Sequence, residues 1–116
     1  MILCAVDDLL FSIKISTAAK SLGVDIYFER SADMVVPRVR EKHPTLVIFD
    51  LNSQKLRPME ALAQIKADPA LREIRTLGFV SHVDVNTIAA ARNAGADQVL
   101  ARSTFAASLG EILTTA

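Results

Sequence analysis

Short apolar runs rich in β-favouring side chains recur along the chain at residues 2–6, 25–28, 46–49, 77–80 and 98–101. Segments with helical spacing separate them, which is the pattern of consecutive βα units around a parallel sheet. The run Leu46-Val47-Ile48-Phe49 is apolar at every position, as a central strand covered on both faces requires. Between the first two runs, Phe11, Ile15, Ala18 and Leu22 fall on one helical stripe, and Gly23 stands where a left-handed residue would end it. Pro58 suits the first position of a helix through Met59, Leu62 and Ile65, closed by Asp68-Pro69. Asp84 or Asn86 caps a fourth-unit helix that carries Ile88, Ala91 and Arg92 and stops at Gly95. The last helix is expected from about Phe105 through Leu109, Ile112 and Leu113. Pro37 falls within the segment 32–42 and lacks the N–H that an interior helical residue donates, so a kink or a late start is expected there.

Composition narrows the class. With 116 residues, 51% of them apolar, and four each of Gly and Pro, the chain reads as one folded domain over 1–116, neither disordered nor low in complexity. Thirteen basic residues balance 13 acidic ones and interleave with them, as in Arg38, Arg40, Glu41 and Lys42, so no positive stripe is offered to nucleic acid. The single cysteine, Cys4, sits in an apolar run and reads as a small core residue in a reducing compartment. Residues 1–6 give way to Asp7 and Asp8 with no basic flank, and no segment has the length of a membrane span. A cytoplasmic domain without membrane contact is therefore expected.

Doubly wound sheets bind ligands beyond the carboxyl ends of strands where the winding reverses, so the strand ends carry the candidate chemistry. The first run ends in Asp7-Asp8, the third in Asp50, the fourth in Ser81 and the fifth in Arg102. Each of these alone reads as a polar residue terminating a strand. Together they place three carboxylates, a hydroxyl and a guanidinium at one sheet edge, and an all-oxygen acidic cluster suits Mg²⁺ or Mn²⁺.

With these residues in hand, the chain resembles the receiver domain of two-component response regulators over essentially its whole length. Val6-Asp7-Asp8 is similar to that family's acidic pair, 46–50 to its third strand ending in the phosphoacceptor, and Gly95-Ala96-Asp97 to the turn into its fifth strand. The segment 50–62 aligns without a gap on the acceptor segment, with Asn52, Met59, Glu60 and Leu62 in place. The resemblance implies a flavodoxin-like (βα)5 fold, a five-stranded parallel sheet in the order 2-1-3-4-5. It implies Asp50 as phosphoacceptor and a metal held by Asp8, Asp50 and the Asn52 carbonyl, with Asp7 acting through water. Ser81 would donate to a phosphoryl oxygen and Arg102 would supply positive charge. The implied donor is a sensor histidine kinase or phosphotransfer protein. The implied output is contact with a downstream protein through the fourth helix, fifth strand and fifth helix, including Ile88, Arg92, Val99 and Leu109, and not catalysis of an external reaction.

Several positions depart from the family. Arg102 replaces the usual lysine, Ser103 the proline after it, Ser53-Gln54 a Met-Pro pair, Pro58 a glycine, and Val99 an aromatic residue. A guanidinium is forked and can clamp a carboxylate, so Arg102 either serves as the site's cation, where it can lock Asp50, or turns out to solvent. His82 beside Ser81 either crowds the pocket or is an ordinary loop residue, and His43 has no companion that suggests a metal. These departures support an alternative, a pseudo-receiver acting as a phosphorylation-independent interaction module. A phosphohydrolase using Asp50 is disfavoured because Asn52 stands where haloacid-dehalogenase-like phosphatases carry a second carboxylate, and no glycine-rich loop offers a dinucleotide site. The chain ends with its fifth helix, which is expected of a stand-alone receiver or of one cut from a longer protein.

Overall fold

The computed structural model describes residues 1–81 and 84–116; His82, singled out above, lies outside the described residues. Five parallel strands form one sheet in the order β2-β1-β3-β4-β5. They are β1 (Ile2–Ala5), β2 (Ile26–Phe28), β3 (Leu46–Asp50), β4 (Arg75–Val80) and β5 (Gln98–Ala101). The helices are α1 (Leu9–Leu22), α2 (Ala32–Lys42), α3 (Pro58–Ala67), α4 (Val85–Ala94), α5 (Arg102–Ala107) and α6 (Leu109–Thr115). The expected doubly wound architecture and strand order are therefore present, with β1 paired to β2 on one side and to β3 on the other.

Strand alternation divides the interior into two cores. Leu3, Ala5, Val47, Phe49 and Val80 pack with Val35, Val36 and Val39 of α2 and Leu62 and Ile65 of α3. Ile2, Cys4, Leu46, Ile48, Leu77 and Phe79 pack on the other face with Phe11 and Ile15 of α1, Phe105 of α5 and Leu113 of α6. The central strands β1 and β3 are buried at every residue, whereas the edge strands β2 and β5 are not. Cys4 is fully buried, and burial pushes its thiol up to about 12, consistent with a core role.

Some element boundaries differ from expectation. The stripe of α1 that faces the core is Phe11, Ser12, Ile15 and Ala19, while Leu22 is 44% exposed. Gly23 ends α1 at φ 68, with its N–H on the Ala19 and Lys20 carbonyls. The late start of α2 does not occur: it begins at Ala32 and carries Pro37 inside. Pro37 and Asp33 are both exposed, so the proline sits on the solvent side of α2. Asp84, not Asn86, caps α4, its carboxylate accepting from the Thr87 N–H at 3.2 Å. The single last helix is in fact two, divided at Ser108, and the first begins at Arg102. Leu109, expected on the output face, belongs to the core at 7% exposure.

Candidate functional site

Asp50 is the last residue of β3 and is only 4% exposed. It shares the parity of Leu46 and Ile48 and pairs with Phe79 of β4, so it stands on the sheet face that carries the phenylalanines. The Asn52 backbone N–H donates to its Oδ1 at 3.0 Å. Burial pushes the Asp50 carboxyl above the ordinary carboxylate range; the Asn52 N–H and the Arg102 charge pull it down, and the charges of Asp7 and Asp8 push it up.

Because β1 and β3 are neighbours at the reversal of winding, the residues after β1 come to lie beside Asp50. Asp8 caps α1, its Oδ1 accepting the Phe11 N–H at 3.0 Å. Its Oδ2 accepts from Arg102 Nη2 at 3.0 Å, and the same Nη2 lies 4.0 Å from Asp50 Oδ2. Arg102 thus turns into the site and bridges two strand ends; the alternative of an arginine turned out to solvent does not hold. Its guanidinium lies 4.5 Å from the centroid of the Phe11 ring and 5.8 Å from that of Phe79. Beneath it Phe11, Phe79 and Phe105 stack, with Phe79 5.0 Å from Phe11 and 4.6 Å from Phe105. The Arg102 Nε is buried and has no hydrogen-bond partner among the described residues.

The loop after Asp50 is built by short local bonds. The Ser53 N–H donates to the Asp50 carbonyl at 3.2 Å, and the Leu56 N–H donates to Ser53 Oγ at 3.2 Å. These bonds suit an ST-type turn, so Ser53 shapes the loop where it departs from the family pattern. Arg57 takes a left-handed φ of 46 before Pro58 opens α3. The Asn52 side chain reaches across to β4, its Oδ1 accepting the Ser81 N–H at 2.6 Å. Asn52 was expected to act through its backbone carbonyl, and this side-chain tie between the two loops flanking Asp50 is an added role.

Five expected residues are therefore joined: Asp8 with Arg102, which lies close to Asp50, Asp50 with the Asn52 N–H, and Asn52 with the Ser81 N–H. Asp7 is felt at Asp50 through its charge. Among the described residues no three of His, Cys, Asp and Glu are gathered into a ready metal cage. The donor chemistry nonetheless fits a small divalent cation, because one oxygen from each of Asp8 and Asp50 converges on a single cationic atom. Sequence reading missed the aromatic platform under Arg102. Its signal lay in Phe11, one turn after Asp8, and in Phe79, directly opposite Asp50 in the sheet.

No family model and no curated protein matches the chain. Solved structures do. The chain is similar to the Mn²⁺-bound form of the response regulator Rcp1, with 20% identity over 99% of this chain and 95% of that one, at a TM-score of 0.81. It is similar to a response regulator from Hahella chejuensis at 15% identity, covering 97% of this chain and 91% of that one, with a TM-score of 0.86. It is also similar to the receiver domain of a sensor histidine kinase from Pseudomonas aeruginosa PAO1 that has magnesium coordinated in its active-site cleft. There the identity is 19%, the coverage 98% of this chain and 93% of that one, and the TM-score 0.84. The fold is that of response-regulator receiver domains.

Proposed function

We propose that residues 1–116 form a receiver module of a phosphorelay, accepting a phosphoryl group on Asp50 and signalling by protein contact. The observation that carries this reading is the convergence of Asp8, Asp50 and Arg102 at the reversal of winding, with Asp50 at the base of the cluster. The donor would be a histidine kinase or phosphotransfer protein. The Asp50 carboxylate would attack phosphorus as the P–N bond of a phosphohistidine breaks, giving an acyl phosphate. Asp8, Asp50 and the Asn52 carbonyl would hold Mg²⁺ or Mn²⁺, with Asp7 through water. The metal, when bound, would offset charge on the transferring group. Arg102 would keep positive charge beside Asp50, and Ser81 would donate to a phosphoryl oxygen. The receiver domains similar to this chain with bound Mn²⁺ or magnesium support the metal reading.

Such a module acts on no external substrate and would work in the cytoplasm. Among the described residues, no helix is long and apolar enough to cross a membrane. Its output face would be α4, β5 and the start of α5, where Arg92 is exposed and Ile88 and Val99 are half-buried. One contact favours a second reading, a phosphorylation-independent interaction module: Arg102 already neutralises Asp8 at 3.0 Å. Incubation with acetyl phosphate and Mg²⁺, followed by intact mass spectrometry, separates the two. The receiver reading predicts one phosphoryl adduct that is absent when the metal is chelated. A folded protein with no adduct, beside a receiver that is modified in parallel, would favour the interaction module.

A further inference from the structure

The oxygens of Asp8 and Asp50 are unequally committed. Asp8 Oδ1 is held by the cap of α1 and Asp50 Oδ1 by the Asn52 N–H, both at 3.0 Å. The oxygens left for a cation are the two Oδ2 atoms, and both face one atom, Arg102 Nη2, at 3.0 and 4.0 Å. A divalent ion shared by these carboxylates needs the same two oxygens. Arg102 is kept there by the Phe11 and Phe79 rings, not by a full set of hydrogen bonds, because its Nε is buried without a partner among the described residues. A buried donor left unpaired costs about 1–3 kcal/mol, so this posture is held but not fully satisfied.

We infer that Arg102 is a resident counter-cation that competes with the divalent metal for Asp8 and Asp50, so that metal entry requires the guanidinium to leave the Asp8 oxygen. This rests on the reading of the cluster as a divalent-cation site. A lysine would bring charge to the same place, but it lacks the planar group that lies against Phe11. The arginine therefore raises the metal concentration at which the site fills. Release of Arg102 from Asp8 also frees the first residue of α5, so that metal occupancy reaches the part of the proposed output face that α5 begins.

The test is calorimetric titration of MnCl2 into the unaltered protein and into Arg102→Met, which keeps an apolar stem over Phe11, with Asp8→Ala as the control without binding. Arg102→Met should bind Mn²⁺ roughly tenfold or more tightly than the unaltered protein, which corresponds to about 1.4 kcal/mol. Equal or weaker binding by Arg102→Met would overturn the competition and leave the cation site standing. Absence of binding in both proteins would instead remove the cation site, and the competition with it. A second measurement needs no substitution. In the nitrogen-15 spectrum, the Arg102 Nη–H signals should be distinct while the group is held at Asp8 and should average on saturation with Mg²⁺. Signals that stay distinct at saturation would mean that the ion and Arg102 share the site, contrary to the inference.

Discussion

Replacing Phe79 by Leu tests whether the aromatic platform is an energetic feature or merely a filled space. Phe79 has no exposed surface and stacks on Phe11 at 5.0 Å with an interplanar angle of 22° and on Phe105 at 4.6 Å with 14°. Each such pair contributes roughly 0.5–1.5 kcal/mol beyond the area it buries, so losing both costs about 1–3 kcal/mol before any packing defect. Phe49 supplies the control. It is as fully buried, sits on the opposite face of the sheet, and is in none of the ring stacks among the described residues. Phe49→Leu suffers the same change of shape without the stacking loss. In urea denaturation followed by far-ultraviolet circular dichroism, Phe79→Leu should be less stable than Phe49→Leu by about 1–3 kcal/mol. Equal losses would refute the claim that ring stacking, and not apolar filling, holds the platform under Arg102.

Asp50 is pushed above the ordinary carboxylate range, so its proton is held more tightly in the folded protein than in the unfolded chain. The stabilisation is complete below the unfolded value and is lost as pH rises through the folded one. Asp50→Asn should therefore be more stable than the unaltered protein at pH 7, with the difference shrinking in acid, as denaturation across that range would show. Asp97 has the opposite sign: burial pushes it up, but hydrogen bonds from Lys66 and Thr76 hold it below its ordinary value. Its contribution is present above the unfolded value and is lost as pH falls through the folded one. Lys66 Nζ also donates to the Arg72 and Ile74 carbonyls, each at 3.1 Å, so Lys66→Met should cost about 1–2 kcal/mol at neutral pH and weaken the acid dependence. Gly78→Ala would bring a methyl group to 2.6 Å from the buried Leu51 side chain, beside Asp50. It should cost about 1–3 kcal/mol in thermal unfolding, and Leu51→Ala in the same chain should recover part of that loss.

Local chemistry made much of the fold legible. The all-apolar run at β3 marked a central strand, and Gly23 and Gly95 marked helix ends because both take the left-handed φ that favours glycine. Pro37 misled because sequence cannot show which face of α2 is wet, and the proline falls on the exposed one. The last helix looked continuous because Phe105, Leu109 and Leu113 keep helical spacing across the break at Ser108. Strand ends were the place to look for Asp8, Asp50 and Arg102, since the order of the strands brings those ends together. The direction taken by Arg102 was not legible. It depends on a partner 94 positions away and on two rings whose approach only tertiary packing sets.

The central claim is that Asp50 carries the phosphoryl group. It is tested most directly by treating the protein with acetyl phosphate and Mg²⁺, reducing it with borohydride, and mapping the peptides by mass spectrometry. An acyl phosphate on Asp50 would be reduced to homoserine at that position, and the product should vanish when the metal is chelated. Modification at another residue, or none in folded protein, would contradict the account and leave the Arg102-locked interaction module in its place.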